Sequence, residues 1–127
     1  MPNYELATRY VCEAMGKYII PNGNSTLVPG AHGQLRYFRP HESIADAWVL
    51  VEWIQRNNAG WRFSILGGDT SDSGFFGWRA EFFGHFAAAQ NYGQRHASTR
   101  AVAASLAIFL AACKVLLTDE QLKECGI

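Results

Sequence analysis

Three segments of the chain carry apolar residues every three or four positions, which is the spacing of one helix face. They are residues 4–15, residues 41–60 and roughly residues 99–117. The stripe of the second segment is formed by Ile44, Ala47, Trp48, Val51 and Ile54. A short terminal helix is expected after Thr118, because Thr118 and Gln121 have the spacing of a capping box.

Strands are predicted between these helices, at residues 17–20, 34–40, 61–68 and 77–86. Residues 61–68 alternate apolar and polar side chains, as a half-buried strand does. Residues 21–33 are rich in Gly, Pro, Asn and Ser, which predicts a loop with a hairpin tip at Asn22-Gly23. The order of elements predicts a single α+β domain over residues 1–127, an antiparallel β-sheet with helices packed on it as an α/β/α sandwich.

Polar residues at the predicted helix starts indicate how these helices begin. Ser43 with Asp46 resembles a capping box, with Asp in place of the usual Glu or Gln. Ser98 or Thr99 is expected to cap the last long helix, which makes residues 87–98 a loop. Arg100 then lies in the first helical turn, where a cation opposes the helix dipole. Since helix N-termini also bind anions, this placement indicates an anionic partner.

Charge and composition narrow the possible partners. The chain has eleven basic and eleven acidic residues, so the broad positive surface of a duplex nucleic-acid binder is missing. Eight of the eleven basic residues are Arg. Because the planar guanidinium suits phosphate and carboxylate and stacks on bases, local binding of a small anion is still expected.

Cysteine usage and hydropathy point to a reduced cytoplasmic setting. Cys12, Cys113 and Cys125 are far apart and form no CxxC pair, and the N-terminal residues lack the basic and apolar regions of a signal peptide. The apolar segment 101–117 stops short of the ~20 uninterrupted residues of a membrane span. It is therefore predicted to be a buried core helix.

Signatures of catalysis, metals and cofactors are sparse. The glycine-rich segment 66–77 is not followed by a Lys-Ser/Thr pair, so no phosphate loop is predicted. The four histidines form no HxxxH pair and none is within four residues of a Cys, which does not favour a zinc site. A nucleophilic triad can be assembled from Cys12 or Ser98, His85 and an acidic residue, but almost any chain of this length contains such a combination of residues.

The aromatic strand and the polar run after it are the best candidate site. In residues 77–86, Phe82 and Phe83 point to opposite faces, and one of these faces must meet the helices. Phe83 is either covered by a second helix or lies on an open face. Phe82, Phe83 and Tyr92 can supply flat surfaces for a base, and Asn91 can pair with a base or sugar edge.

Four segments in this order resemble the phage ABA-sandwich family: SIADAWVLVEWIQ (43–55), WRFSI, WRAEFF and STRAVAASLAIFLAACKVL (98–116). The DAWVLVE core matches the family's S-x-D/A-x-A-A-W-x-V-V-E-like helix. The closing helix departs from the A-I-C-x-A-A-L-like pattern, with Phe109 in place of Cys and Cys113 four residues later. The resemblance covers roughly residues 4–117 and rests on the order and spacing of two helices.

The family is similar to the Thoeris anti-defence proteins of phages, and the resemblance implies a function. Such a protein binds a cyclic nucleotide-type immune signal, glycocyclic ADP-ribose or a cyclic oligonucleotide, and sequesters it without cleavage. It needs no cofactor or metal, binds no long nucleic acid and assembles into a homo-oligomer, a dimer or larger. An aromatic residue, an Asn and Arg residues contact the ligand. The candidate ligand-binding residues are Phe82, Phe83, Asn91, Tyr92, Arg95, Arg100, Arg36 and Arg39.

Two other functions are compatible with the same residues. A phage accessory protein would bind another protein through exposed aromatics such as Phe75 and Phe76 at the hairpin tip. A small hydrolase would cleave the bound nucleotide, whereas a sequestering protein would release it intact.

Overall fold

The computed structural model describes the backbone of residues 2–17, 19–23, 25–30, 32–57, 62–70, 75–85, 94–101 and 103–127. Side chains are described in the same ranges, except at residues 21, 22, 68–70, 75, 76, 84, 85 and 94–100.

Four helices and six strands occur in the described ranges. The helices are Tyr4–Ala14 (α1), Ile44–Asn57 (α2), Ala104–Leu116 (α3) and Asp119–Cys125 (α4). The strands are Ile20–Asn22 (β1), Ser25–Pro29 (β2), Leu35–Tyr37 (β3), Arg62–Thr70 (β4), Phe75–His85 (β5) and Gln94–Ala101 (β6). They form two antiparallel sheets in the orders β1-β2-β3 and β4-β5-β6. The predicted α+β class, with helices packed on an antiparallel sheet, is confirmed.

The main core lies between the β4–β6 sheet and α3. Phe63 pairs with Phe82 and Ile65 with Ala80, which places these four residues on one sheet face. Ala80 and Phe82 are buried, and the Phe63 and Phe82 rings lie 4.8 Å apart. α3 contacts all three strands of this sheet and is buried along most of its length, as a helix that is apolar all round should be. None of the described helices is long and apolar enough to cross a membrane.

The second sheet packs on the far side of the helices. α1 contacts α3, α4 and β2, so it lies between α3 and the β1–β3 sheet. Val28 and Phe38 bury their side chains there. On the face of the β4–β6 sheet opposite Ala80, Leu66 is 52% exposed. The described layers therefore run sheet, helices, sheet, with the described helices on the Ala80 face of the β4–β6 sheet. The predicted α/β/α order, with helices on both faces of one sheet, is not the order of the described layers.

The end of the predicted 87–98 loop and the predicted start of the last helix are wrong. Residues 94–101 form strand β6, paired antiparallel with β5 from His85–Gln94 to Trp78–Ala101. α3 begins at Ala104, and its N-cap Ala103 makes no side-chain capping bond. Ser98 and Thr99 are therefore strand residues and not caps. Pairing with the long neighbouring strand overrides the local capping signal, because each strand residue gains cross-strand contacts.

Smaller differences concern the first sheet and α2. β2 lies inside the predicted 21–33 loop, and the hairpin expected at Asn22-Gly23 is present, with Gly23 at a φ of +61°. In α2, Ile44 and Trp48 are exposed while Leu50 is buried, so the core-facing stripe is rotated from the predicted one. The capping box of Thr118 and Gln121 is confirmed at the start of α4.

α4 is joined to α1 by one side-chain hydrogen bond. The Tyr10 hydroxyl donates to Glu124 Oε2 at 2.5 Å. This hydrogen bond, with smaller effects of burial and of nearby negative charge, raises the pKa of Tyr10 from its ordinary 10 to about 12. A group whose pKa rises on folding stabilises the protein fully below its unfolded pKa and loses that contribution through its folded pKa.

We therefore expect wild-type protein to lose this contribution between about pH 10 and about pH 12. Tyr10→Phe should be less stable than wild type at pH 9, and the difference should vanish by pH 12. Urea unfolding followed by circular dichroism at pH 9, 11 and 12 measures it. Tyr37→Phe, at an exposed tyrosine on another element, should keep the wild-type pH dependence. A constant difference between Tyr10→Phe and wild type across this range would contradict the assignment.

Candidate functional site

Two of the predicted arginines, Arg36 and Arg39, are held by one buried carboxylate. Arg36 Nη1 lies 2.7 Å from Asp46 Oδ1, and the Arg39 backbone N–H donates to Asp46 Oδ2 at 3.0 Å. Asp46 is only 4% exposed and lies in the first turn of α2. The Asp46 backbone N–H donates to Ser43 Oγ at 3.3 Å, so half of the predicted capping box forms. The Asp46 carboxylate bonds toward β3 instead of completing that box.

A third arginine, Arg9, comes from α1 and reaches the same place. Arg9 Nη2 donates to the carbonyl of Gly23 and, at 3.5 Å, to the carbonyl of Ser25. Arg39 Nη2 donates to Ser25 Oγ at 3.2 Å. Two guanidinium groups from different elements therefore converge on one residue of β2. Arg9, Arg36 and Arg39 are called the arginine cluster below.

The arginine cluster is bordered by an exposed aromatic ring. The guanidinium carbon of Arg39 lies 4.6 Å from the centroid of the Tyr37 ring, which is cation–π distance. Tyr37 is 49% exposed. A flat, partly open ring next to fixed guanidinium groups can bind a planar group that carries negative charge nearby.

The arginine cluster has hydrogen-bonding capacity that the described protein atoms do not use. Arg9 Nε and Arg39 Nε are both buried, and neither makes a hydrogen bond within the described part of the chain. Buried polar groups are nearly always paired, and guanidinium N–H groups form their strongest bonds with phosphate or carboxylate. A cleft of about 230 Å³, lined by Asn3, Glu5, Leu6 and Arg9, opens beside α1.

The other predicted site residues lie on β5, on β6 or outside the described residues. Phe82 is fully buried in the core against Phe63, so its ring is not accessible to a base; this position was placed wrongly. Phe83 is partly buried and pairs with Arg62 and His96 in the sheet. Asn91 and Tyr92 lie outside the described residues.

Arg95 and Arg100 lie on β6 and not at a helix start. The Cα partner of Arg95 is Gly84, and that of Arg100 is Arg79. The predicted anion site at the first turn of the last helix is therefore wrong for Arg100, because that turn begins at Ala104.

Sequence reasoning missed Arg9 and Tyr37. Arg9 lies in a predicted helix, and nothing local to it indicates that its side chain reaches Gly23, 14 residues away. Tyr37 has a weak signal, because it stands between Arg36 and Arg39 in the short segment Arg-Tyr-Phe-Arg. Arg9 and Arg39 come together because α1 and the segment after β3 both lie against Ser25 of β2.

The thiol suggested for nucleophilic catalysis has an unfavourable environment. Burial raises the pKa of Cys12 to about 11, so this thiol is protonated at neutral pH. All three cysteines are buried and unpaired. In the part of the chain that the structure describes, no group of three or more His, Cys, Asp or Glu residues is placed to hold a metal ion.

Comparison of the chain with protein-family models, with curated proteins and with solved structures gave no match.

Asp46 should be the residue on which the arginine cluster most depends. Asp46→Ala leaves the Arg39 N–H and the Arg36 guanidinium without their acceptor, and we expect the free energy of unfolding to fall by about 1–3 kcal/mol. Asp46→Asn keeps one acceptor oxygen and should cost less. Glu52→Ala, at an exposed position of the same helix, should change stability by less than about 0.5 kcal/mol. Equal effects of Asp46→Ala and Glu52→Ala in urea unfolding would contradict the assigned role.

Proposed function

We propose that the protein binds a phosphorylated nucleotide of the ADP-ribose type at the arginine cluster and holds it without cleavage. The observation that carries the proposal is the convergence of Arg9 and Arg39 on Ser25. Two guanidinium groups fixed at one residue repel each other, and an anion between them relieves the repulsion. A pyrophosphate offers several acceptor oxygens to such a pair.

The unused donors of the arginine cluster support phosphate as the bound group. Each Nε–H forms one arm of a planar fork that matches two oxygens of a phosphate. Arg9 and Arg39 each keep a buried Nε–H without a hydrogen bond in the described residues. Glu5 and Asp46 balance part of the positive charge, so the site favours one compact anion rather than a long polyanion.

Tyr37 supports a nucleotide rather than inorganic phosphate. One side of its ring lies against Arg39, and about half of the residue is exposed. Stacking of a base on an aromatic ring contributes roughly 1–3 kcal/mol. Tyr37 thus takes the stacking role that was expected of Phe82, while Phe83, Asn91, Tyr92, Arg95 and Arg100 stay predictions for a larger contact surface.

The choice of glycocyclic ADP-ribose as the specific nucleotide rests on the family resemblance. DAWVLVE and the order of the helices resemble phage ABA-sandwich proteins, which are similar to anti-defence proteins that sequester glycocyclic ADP-ribose. On this basis the proposed role is capture of such a signal in the host cytoplasm by a homo-oligomer. The high pKa of the Cys12 thiol supports sequestration rather than cleavage at that residue.

Isothermal titration with ADP-ribose, cyclic ADP-ribose and glycocyclic ADP-ribose tests the proposal. We expect at least one of them to bind and to be recovered intact after the protein is denatured. Arg39→Ala removes charge-assisted hydrogen bonds of about 1.5–3 kcal/mol, so affinity should fall roughly 10- to 100-fold. Arg39→Lys keeps the charge but loses the fork and should bind with intermediate affinity.

Arg56→Ala is the matched control, because Arg56 is exposed in the last turn of α2. It should bind as tightly as wild type does. Binding of none of the three nucleotides, or equal losses for Arg39→Ala and Arg56→Ala, would contradict the proposal. Recovery of cleaved ligand would instead identify a hydrolase.

A further inference from the structure

Glu5 carries a carboxylate that makes no hydrogen bond with any described residue. Its side chain is 25% exposed, and Oε2 is buried without a partner. Oε1 lies 3.9 Å from Arg39 Nε and 3.9 Å from His41 Nε2, which is too long for a direct hydrogen bond. A mostly buried carboxylate in this state is costly unless another group bonds to it.

His41 adds a second polar side chain in the same condition. Its side chain is only 9% exposed. The centroid of its ring lies 5.4 Å from that of Tyr4 and 5.7 Å from that of Phe109. His41 Nδ1 is buried and makes no hydrogen bond within the described ranges. With Glu5 Oε2, Arg9 Nε and Arg39 Nε, it completes a group of four unpaired polar atoms on neighbouring side chains.

The distances around Glu5 fit an inserted oxygen atom. Two atoms 3.9 Å apart can both lie about 2.8 Å from one oxygen placed between them. A hydroxyl there donates to the carboxylate and accepts from Arg39 or His41, so it satisfies both sides. A cationic group would meet the positive charge of Arg39, which disfavours an amine at this position.

The cleft beside α1 gives such a ligand room. Glu5 and Arg9 lie one helical turn apart, and both line the cleft of about 230 Å³. That volume exceeds the ~30 Å³ of a single water several times over, so the cleft has room for a sugar ring. A sugar bound there would be next to Arg9, which shares its hydrogen-bond partner Ser25 with Arg39.

We propose that Glu5 binds the vicinal hydroxyls of a ribose whose phosphate is held by Arg9 and Arg39. A carboxylate has two acceptor oxygens, which match the two donors of a 2′,3′-diol, and acidic residues bind ribose hydroxyls in this way in dinucleotide-binding folds. This inference rests on the proposed nucleotide-binding function and adds that the ligand must carry an unmodified ribose diol.

The test compares cyclic ADP-ribose with two analogues, each lacking the 2′ and 3′ hydroxyls of one of its two ribose rings. Wild type should bind one of the analogues roughly 10- to 100-fold more weakly than cyclic ADP-ribose, which corresponds to lost hydrogen bonds to a charged group. In Glu5→Gln the difference should shrink, and in Glu5→Ala the two ligands should bind within about 2-fold of each other.

Glu13→Gln, at an exposed position of the same helix, is the matched control and should keep the wild-type discrimination. Arg39→Ala should weaken the binding of cyclic ADP-ribose and of both analogues, because Arg39 holds the phosphate that all three ligands carry. Thermal unfolding of each variant checks that α1 is intact. Tight binding of all three ligands by wild type would overturn the diol inference and leave the proposed function standing. Binding of none of them, with ADP-ribose and glycocyclic ADP-ribose also failing to bind, would overturn both.

Discussion

The hydrogen bonds of the Asp46 carboxylate are the interactions on which the candidate site depends. The carboxylate is nearly inaccessible to solvent and accepts from Arg36 Nη1 and from the Arg39 backbone N–H. These bonds fix the chain between β3 and α2, so the Arg39 side chain can extend to Ser25 and to the Tyr37 ring. Because a buried carboxylate without partners is costly, the two arginines and α2 constrain each other.

The charged side chains near Asp46 and Ser25 are only partly paired with one another. Arg9 and Arg39 bring two positive charges to Ser25, while Glu5 lies close to Arg39 without a direct hydrogen bond. Natural folds pair nearly all buried polar atoms, so unpaired atoms gathered in one place need a partner, which water or a ligand can supply. Recognition by fixed donors and acceptors suffices for sequestration, which requires binding and no reacting group.

Helix periodicity made α1 and α2 predictable, and the alternating pattern made β4 and β5 predictable, because both signals arise within a few neighbouring residues. β6 was not predictable in this way, since its residues form a strand through pairing with β5 and carry local signals of a loop and a cap. Of the site, Arg36 and Arg39 were anticipated from the family resemblance. Arg9 was not anticipated, because its contact with β2 joins two segments that are far apart in sequence. Phe82 was misassigned because alternation alone does not say which sheet face is buried.

In the proposed complex the arginine cluster, and not β6, receives the phosphate of the ligand. Nitrogen-detected or proton–nitrogen NMR of the arginine Nε–H groups during titration with glycocyclic ADP-ribose tests it directly, with each signal assigned by an Arg→Lys variant. The signals of Arg9 and Arg39 should shift with saturating ligand, while the signal of the exposed Arg56 should stay in place. Shifts confined to Arg95 and Arg100, with Arg9 and Arg39 unchanged, would contradict it.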